Sequence, residues 1–439
     1  MNLPFSPRQI KFIFIAGGVL LFLIGGIIFG LRNVSKKTEV VLTVWGTPEE
    51  KEAILAGAAG FQPSDTKLSA TINFVSLDSV NYENEMLDRL AEGQAPDVIM
   101  INNHWIPKHK NKLVSLDSQV FSPAKLVDFF PRAVEDDFVN QGAVYALPLY
   151  LDTLALFYNK NLFDQAGIVA PPKTWRELQQ MIPQLRVVNA QGQIVRAAVA
   201  LGGSEKSVVN ATDILPLLMI QNGSGMINTK TFAENFNVSP LDEESRVTTP
   251  GVSALDFYVQ FANAGSPYYT WNDNQVSSLD SFASSKVAMV FAYQSQIATI
   301  KNKNQFLRFG VAPMLQISDN EPSARNYPHY WGLAVSKQSS KPDMAWDFIY
   351  YLTTTSASAY NAVAGHPPVL RSQIATLLDD SDYGVFARQA LTARSWYVPD
   401  SDKIKTIFNN AISRILLARV GVQEAFSELT NQVSQIIIK

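Results

Sequence analysis

The sequence predicts an α/β protein in which strands and helices alternate along the chain. Residues 97–101 form an apolar run with the length of a buried parallel strand, and residues 80–92 have apolar side chains at helical spacing. This alternation favours an α/β domain, in which ligands bind beyond the carboxyl ends of the strands. We therefore expect the loops at 46–49 and 102–105 to face the same crevice.

The remaining elements follow from the same periodicities. Pro148 is expected to end the strand at 144–147 or to mark a sheet edge, because proline lacks an N–H. Asp152 lies between two apolar runs, and we expect it at a crossover or a cleft mouth because burying an unpaired carboxylate is costly. The stretch 202–251 is less regular, and 232–246 is predicted as a surface loop. The other predicted elements are strands 40–45, 71–75 and 153–158 and helices 49–61, 252–264, 281–284, 341–353 and 403–438.

Residues 12–31 are predicted to cross a membrane as one helix. The segment holds 20 consecutive uncharged residues, which matches the ~20 that a spanning helix needs. A cleaved signal peptide has a shorter apolar region and a small-x-small cleavage site, and no A-x-A sequence follows this segment. The sequence therefore predicts an uncleaved signal-anchor, followed by a short polar tether at 32–38.

Composition and motifs exclude several classes of protein. The chain contains no cysteine, which removes disulfides, thiol catalysis and a lipid-modified cysteine anchor. Its net charge of −3 argues against nucleic acid as a partner. His104 and His109 do not match the H-E-x-x-H pattern, and no G-x-S-x-G, phosphate-binding loop or dinucleotide fingerprint occurs. We predict a protein without catalytic activity, metal or cofactor.

A series of short motifs is similar to those of a known family. The stretch G-A-V-Y-A-L-P-L-Y-L-D-T-L-A-L-F-Y-N-K-N-L-F at 142–163 resembles a hinge strand of the extracellular solute-binding proteins of family 1, the group that includes maltose-binding protein. The P-x-T-W-x-E-L helix start of that family is matched within 169–178. Further motifs lie in the family's order at 40–49, 95–100, 282–291, 309–314, 331–337 and 344–349.

The resemblance implies a two-lobed, periplasmic-binding-protein-like fold (type II) with three crossings between the lobes. These crossings are expected near 148–153, 287–291 and 330–334. The N-terminal lobe is then predicted to comprise 39–151 and 290–330, and the C-terminal lobe 152–289 and 331–439. Because the family's ligand-binding domain works outside the membrane, residues 1–11 are expected in the cytoplasm, although the basic residues around the span slightly favour the opposite orientation.

The resemblance also implies a ligand site in the interlobe cleft. A sugar presents C–H faces to aromatic rings and hydroxyl groups to hydrogen-bonding side chains. Glu49 could alternatively complement the dipole of a helix start. The family's frequent G-x-W after the A-M strand is replaced here by Ala292-Tyr293-Gln294, so that Tyr293 could substitute for a stacking tryptophan. The expected ligand-binding residues are Thr47, Glu49, Asn103, His104, Trp105, Asp152, Tyr293, Gln294, Tyr330, Trp331 and Trp396.

Taken with the resemblance, the sequence predicts a membrane-anchored, extracellular solute-binding protein of an ABC importer. Its expected partners are a small-molecule ligand, namely a carbohydrate of oligosaccharide size, the membrane subunits of a permease, and the lipid bilayer through the N-terminal helix. The protein is expected to be a monomer. Two alternatives are a membrane-anchored carbohydrate-active hydrolase and a ligand-sensing subunit. A weaker alternative within the binding class is Fe(III), since Tyr268-Tyr269 and Tyr350-Tyr351 are adjacent tyrosine pairs.

Overall fold

The computed structural model describes residues 37–119, 121–238, 249–318 and 324–437. The predicted membrane span at 12–31 lies outside these residues, as do the N-terminal segment 1–11 and most of the tether. Within the described ranges, no helix is both long enough and apolar enough to cross a membrane.

The first sheet forms the centre of one lobe and is built from distant parts of the chain. Its central strands are buried on both faces, as expected for a sheet that is covered by helices on each side. The strand Thr38–Gly46 is parallel to both of its neighbours, whereas Trp331–Ser336 is antiparallel to its own. The strand order is Leu68–Ser76, Thr38–Gly46, Val98–Asn102, Trp331–Ser336 and Leu113–Val114, and Leu147–Pro148 also pairs with Trp331–Ser336.

The second sheet forms the centre of the other lobe. Its strand Val287–Ala292 is completely buried and lies parallel to Ile194–Val199. The other pairings in this sheet are antiparallel. The strand order is Val187–Val188, Ile194–Val199, Val287–Ala292, Ala155–Asn159 and Phe309–Ala312.

The strand pairing corrects the predicted lobe boundaries in the later part of the chain. The sequence predicts a crossing near 287–291 and assigns 290–330 to the N-terminal lobe. In the structure, Val287–Ala292 is an interior strand of the second sheet, so the chain does not leave that lobe there. The following strand, Phe309–Ala312, also belongs to the second sheet.

The predicted assignment of 331–439 to the C-terminal lobe needs the opposite correction. The strand Trp331–Ser336 pairs with Val98–Asn102 in the first sheet. Most buried residues from 333 to 393 then contribute to the hydrophobic core around that sheet, although Val385 and Phe386 pack into the second core. From 396 onward the chain packs into the second core. The predicted single helix at 403–438 is two helices, separated near Ala418, whose φ is 53°.

Helices cover both sheets. Around the first sheet they are Lys51–Ala58, Tyr82–Ala91, Ile106–His109, Pro123–Phe129, Arg132–Phe138, Pro342–Tyr350, Ala357–Ala364, Arg371–Thr376 and Gly384–Thr392. Around the second they are Lys160–Ala166, Trp175–Leu185, Ala211–Gln221, Pro250–Val259, Ser278–Ala283, Ile297–Lys303, Ser401–Leu416 and Val422–Ile436. The P-x-T-W-x-E-L motif begins a helix as expected: the Thr174 side chain accepts a hydrogen bond from the Glu177 N–H.

The chain passes between the two cores at three places. Leu151 belongs to the first core and Leu154 to the second, and the chain returns between Tyr327 and Tyr330. It crosses again between Ala393 and Trp396. Three crossing segments allow two lobes to rotate against each other through small changes in backbone dihedrals.

The first two crossings are tied together. Asp152–Thr153 and Pro328–His329 form a short antiparallel pair between the lobes. At Gly332, just after the second crossing, a Cβ atom would lie 2.6 Å from the Leu147 carbonyl oxygen and 2.6 Å from the Phe138 ring. Only glycine allows the backbone of Leu147–Pro148 to approach the strand this closely.

Candidate ligand-binding site between the lobes

The cleft-facing edge of the first lobe is formed by the carboxyl ends of two adjacent strands. Thr38–Gly46 and Val98–Asn102 are parallel, so the loops that follow them leave the same edge of the sheet. Thr47 follows the first strand, and Asn103, His104 and Trp105 follow the second. The sequence-based expectation that both loops face one crevice agrees with this arrangement.

Three aromatic rings form what we call the aromatic patch: Tyr82, Trp105 and Trp331. The Trp105 and Trp331 rings meet edge to face with centroids 5.1 Å apart. The Tyr82 ring lies 6.0 Å from Trp105 and 5.4 Å from Trp331. Tyr82 and Trp105 are buried, whereas Trp331 remains partly exposed. The patch therefore offers a flat apolar surface beside polar groups.

The second lobe touches the first beside this patch. The Trp105 indole N–H donates a hydrogen bond to the Ser401 hydroxyl over 3.2 Å. The Lys108 ammonium lies 2.8 Å from a Glu83 oxygen in its own lobe and 3.4 Å from an Asp400 oxygen in the other. Burial alone would raise the pKa of Glu83, but hydrogen bonds from His109 and Lys108 outweigh it and hold the pKa near about 2. The ion pair thus persists across the neutral pH range.

Four further rings, which we call the ring cluster, line the boundary between the lobes: His104, Tyr293, Tyr327 and His329. The His104 ring centroid lies 5.9 Å from that of Tyr327, and the Tyr293 centroid lies 5.4 Å from that of His329. Burial is the main cause that lowers the pKa of His104 to about 3 and that of His329 to about 4. The Lys405 ammonium contributes to both shifts, and His329 contributes to that of His104. Both imidazoles are therefore neutral near pH 7 and can donate or accept hydrogen bonds.

The ring cluster continues into the second lobe through Asp213. The Tyr293 hydroxyl donates to an Asp213 carboxylate oxygen over 2.9 Å. Burial raises the pKa of Asp213, and the nearby Lys405 ammonium opposes that rise. Sequence reasoning missed Asp213, Tyr327, His329 and Lys405. A signal existed for His329, which immediately precedes the expected residue Tyr330.

Asp152 lies at the first crossing, where the sequence predicts it, and it is 1% exposed. Its carboxylate accepts three backbone N–H bonds: from Thr153 at 2.8 Å, Gln294 at 3.0 Å and Ser295 at 2.9 Å. Burial raises its pKa to about 6, although these N–H groups favour the charged form. Asp152 therefore anchors the start of the short helix Gln294–Gln296 to the crossing.

Gln294 connects the lobes at the same place. Its side-chain amide nitrogen donates to the Gly365 carbonyl over 3.0 Å. His366, which follows Gly365, stacks on the Tyr150 ring with centroids 3.9 Å apart, and its ring nitrogen lies 2.8 Å from a Glu50 oxygen. Glu50, which is buried, was not expected from sequence, where the neighbouring Glu49 was chosen.

Asn103 and Tyr330 are completely buried in the first lobe. Both donate to the Asp137 carboxyl, Asn103 over 3.0 Å and Tyr330 over 2.7 Å. Burial raises the pKa of Asp137 to about 8, and the hydrogen bonds from Ser395, Tyr330 and Asn103 counteract only part of this rise. These residues form a polar layer behind the cleft surface.

The last expected residues lie at the edges of the site. Thr47 is buried and precedes the short helix Pro48–Glu50. Glu49 is exposed, and both of its carboxylate oxygens accept from the Ser79 hydroxyl. Trp396 packs in the second core, where its indole N–H donates to the Tyr327 hydroxyl over 3.1 Å. Its other side borders an interlobe cavity of about 810 Å³.

His104, Trp105, Tyr293 and Trp331 thus lie at the boundary between the two lobes. The other expected residues lie around or behind them. Such a surface can bind a neutral polar ligand by stacking and by hydrogen bonds. Among the described residues, no group of three or more His, Asp or Glu side chains is placed to hold a metal ion.

The chain matches a family model described as bacterial extracellular solute-binding protein over residues 47–359. It is 23% identical over 367 residues to a probable ABC transporter-binding protein of Deinococcus radiodurans, which covers 79% of this chain and 81% of the relative.

Solved structures share the two-lobed fold. The cyclic alpha-maltosyl-1,6-maltose binding protein of Arthrobacter globiformis superposes with a TM-score of 0.72 at 18% identity, covering 91% of this chain and 99% of the other. The sugar-binding protein MalE of Xanthomonas citri superposes with a TM-score of 0.71 at 19% identity, covering 91% and 97%.

Proposed function

Because this chain belongs to the bacterial extracellular solute-binding proteins, we propose that it captures a carbohydrate between its two lobes for an ABC importer. The ligand is of oligosaccharide size, and the membrane subunits of a permease receive it. The uncharged segment 12–31 anchors the protein in the cell membrane as a single span, with the binding lobes on the extracellular side. The protein acts as a monomer and returns its ligand unchanged.

The observation that carries this proposal is the pairing of the aromatic patch with the ring cluster at the lobe boundary. A partly exposed Trp331 against Trp105 suits the C–H face of a sugar. The neutral imidazoles of His104 and His329 and the hydroxyl of Tyr293 suit the hydroxyl rim.

The comparisons support a carbohydrate ligand. Two proteins of the same fold are described as binding a sugar and cyclic alpha-maltosyl-1,6-maltose. A further relative, from Bacillus subtilis, is described as a melibiose, raffinose and stachyose-binding protein and is 27% identical over 165 residues. These descriptions favour oligosaccharides over monosaccharides as the first compounds to test.

Calorimetry with the full chain in detergent or nanodiscs tests the proposal. Maltotriose, raffinose and cyclic maltosides are titrated, and chromatography then determines whether the sugar is recovered intact. We expect at least one oligosaccharide to bind and to be recovered unchanged. Cleavage of the bound sugar would identify a hydrolase instead, and binding confined to non-carbohydrate solutes would reject the proposed ligand class.

Lobe movement gives a second readout. The chain has no cysteine, so Glu92→Cys and Gln191→Cys can be labelled with a dye pair, one exposed position in each lobe. Ligand should increase energy transfer, because a ligand shifts the open–closed equilibrium by its differential affinity for the two states. No change at saturation would indicate a rigid binding module.

A further inference from the structure

The interlobe cavity of about 810 Å³ is not explained by the proposed carbohydrate site. Its first-lobe wall is the helix Arg132–Phe138, and its second-lobe wall is the turn that follows Ala211–Gln221. The third crossing, with Trp396 and Tyr397, closes one side. Its volume falls within the ~300–1,000 Å³ that is typical of small-molecule sites.

Positive charge gathers on one wall of this cavity. Arg325 and Arg394 lie on adjacent extended segments, since Arg394 N–H donates to the Asn326 carbonyl over 2.9 Å. Within the part of the chain that the structure describes, neither guanidinium has a carboxylate within 4.0 Å, and each donates to a neighbouring backbone carbonyl. Burial lowers the pKa of Arg394, and repulsion by Arg325 lowers it further.

The negative charges at the cavity are placed differently. Glu135 and Asp136 lie 3.7 and 3.9 Å from the guanidinium of Arg132, on their own helix. Burial raises the pKa of Asp136 to about 6. Asp136 also attracts the Arg394 guanidinium, so the charge on that wall is partly compensated. Three guanidinium groups, of Arg132, Arg325 and Arg394, still face two carboxylates in this partly desolvated space, which favours a bound anion.

Aromatic side chains form another part of the lining. The Phe232 and Tyr397 rings meet edge to face at 6.0 Å, and both border the cavity with Trp396. Rings of this kind bind the apolar face of a ring-shaped organic molecule. The cavity therefore combines guanidinium groups with an apolar surface, which suits an organic anion better than a simple ion.

Backbone strain is concentrated here as well. Among the described residues, six other than glycine have positive φ, and three of these line the cavity: Gln141 at 51°, Met226 at 49° and Phe232 at 51°. Such conformations are costly for side chains of this size and cluster at functional sites. The surrounding fold holds the cavity walls in shape at a cost in stability.

We propose that this cavity is a second binding site, for a ring-sized organic anion whose carboxylate or phosphate group is bound by Arg325 and Arg394. The ring of the anion lies against Phe232 and Tyr397. Planar guanidinium groups bind both kinds of anion through paired hydrogen bonds. The cavity borders the carbohydrate cleft at Ser395 and Trp396, and its proposed occupant does not depend on which sugar that cleft binds.

The two sites meet at Ser395, which gives a route for coupling. Ser395 borders the cavity, and its hydroxyl lies 3.4 Å from the His104 ring nitrogen in the cleft. Both lobes contribute walls, so an occupant favours the lobe arrangement that forms this cavity. Because coupling is reciprocal, a sugar in the cleft and an anion in the cavity change each other's affinity by the same factor.

The test is calorimetry of the full chain with glucuronate, glucose 6-phosphate and, as the neutral control, glucose. Glucuronate carries a carboxylate and glucose 6-phosphate a phosphate, so the pair distinguishes the two anionic groups. We expect at least one anion to bind. Arg394→Gln should lower the affinity for that anion about 10- to 150-fold, because it removes one to two charge-assisted hydrogen bonds. Arg325→Gln should weaken it similarly.

Arg308→Gln is the matched control, since Arg308 is exposed at 65% and lies beside Asp164 on the second lobe. Its anion affinity should equal that of the unmodified protein, and thermal melting confirms that all variants fold. Equal anion binding by Arg394→Gln and the unmodified protein would overturn the proposal. So would failure of both anions to bind below about 10 mM, or equal binding of glucose in the same cavity.

Discussion

Two groups that the sequence assigns to the same ligand site have different surroundings in the structure. The aromatic patch is partly exposed at Trp331, whereas Asp152 is 1% exposed and its carboxylate already accepts three backbone N–H bonds. A group with free surface can exchange water for ligand. A group whose hydrogen-bonding capacity is used by the fold contributes instead to the position of the lobes.

The comparison shows that a motif locates a residue more reliably than it defines what the residue does. Asp152 and Trp331 both lie next to crossings, as the motifs predict. Their roles depend on which atoms lie beside them. The Gln294 N–H that binds the Asp152 carboxylate, for example, is 142 positions away in the sequence. Substitutions at the two places should therefore separate stability from binding.

The largest effect is expected for Asp152→Ala. Removing the carboxylate leaves the buried Thr153 N–H and the partly buried Gln294 and Ser295 N–H groups without an acceptor, which should lower the free energy of unfolding by about 3 kcal/mol. Urea denaturation measures the loss. Asp88→Ala, at an exposed position, should stay within about 0.5 kcal/mol of the unmodified protein. If Asp152→Ala weakens sugar binding without a loss of stability, Asp152 is a ligand residue rather than a hinge anchor.

Trp331→Ala should produce the opposite result. It removes the exposed ring of the aromatic patch, so we expect sugar affinity to fall by about 1.5–3 kcal/mol, or roughly 10- to 150-fold. Trp331→Phe keeps an apolar face and should lose less. Calorimetry with the sugar identified in the screen gives both values. Unchanged affinity in Trp331→Ala, together with a large loss of stability, would make Trp331 a packing residue.

Asp137 differs from both groups, because its buried surroundings in the first lobe keep its carboxyl protonated near neutral pH. Its pKa is raised to about 8 by burial, above the ~3.9 of an unfolded aspartate. Its contribution to stability is therefore complete below about pH 4 and is lost as the pH rises to about 8.

Between pH 6.5 and 8, this loss should reach about 1–2 kcal/mol in the unmodified protein. Asp137→Asn cannot ionise and keeps an oxygen for Tyr330 and Asn103. Its melting temperature should change less over the same range. Parallel pH profiles of the two proteins would show that Asp137 does not carry the dependence.

The smallest effect is expected at Glu49, which the motif also assigns to the site. Its carboxylate is exposed and accepts hydrogen bonds from the Ser79 hydroxyl and from the neighbouring Thr47. Glu49→Gln should change both stability and sugar affinity by less than about 0.5 kcal/mol. A tenfold loss of affinity would place Glu49 in contact with the ligand.

Local patterns predicted the elements that local forces determine. The helix after Thr174, the strand at 98–102 and the crossing at Asp152 follow from capping, apolar run length and proline, all of which act within a few residues. The family resemblance supplied the two-lobed fold. The resemblance also implied His104, Trp105, Tyr293 and Trp331 as cleft residues, and each of them follows or begins a core strand.

The errors concern long-range pairing. Nothing near Val287–Ala292 distinguishes an interior strand from a crossing, because both are apolar runs of the same length. The cavity was missed for a related reason: Arg325 and Arg394 become neighbours only when two crossing segments lie side by side. The family motif favoured Glu49, and the sequence did not indicate that its neighbour Glu50 is buried beside His366.

The position of Trp331–Ser336 in the middle of the first sheet has a consequence for synthesis and export. Val98–Asn102 finds its antiparallel partner only after about 230 further residues have been made, since Trp331 pairs with Asn102. At ribosomal rates of about 5–20 residues per second, the first lobe stays incomplete for roughly 10–50 s. During that interval the first sheet lacks one of its central strands, so the first lobe cannot complete its fold, during synthesis or accompanying export, before Trp331–Ser336 has been made.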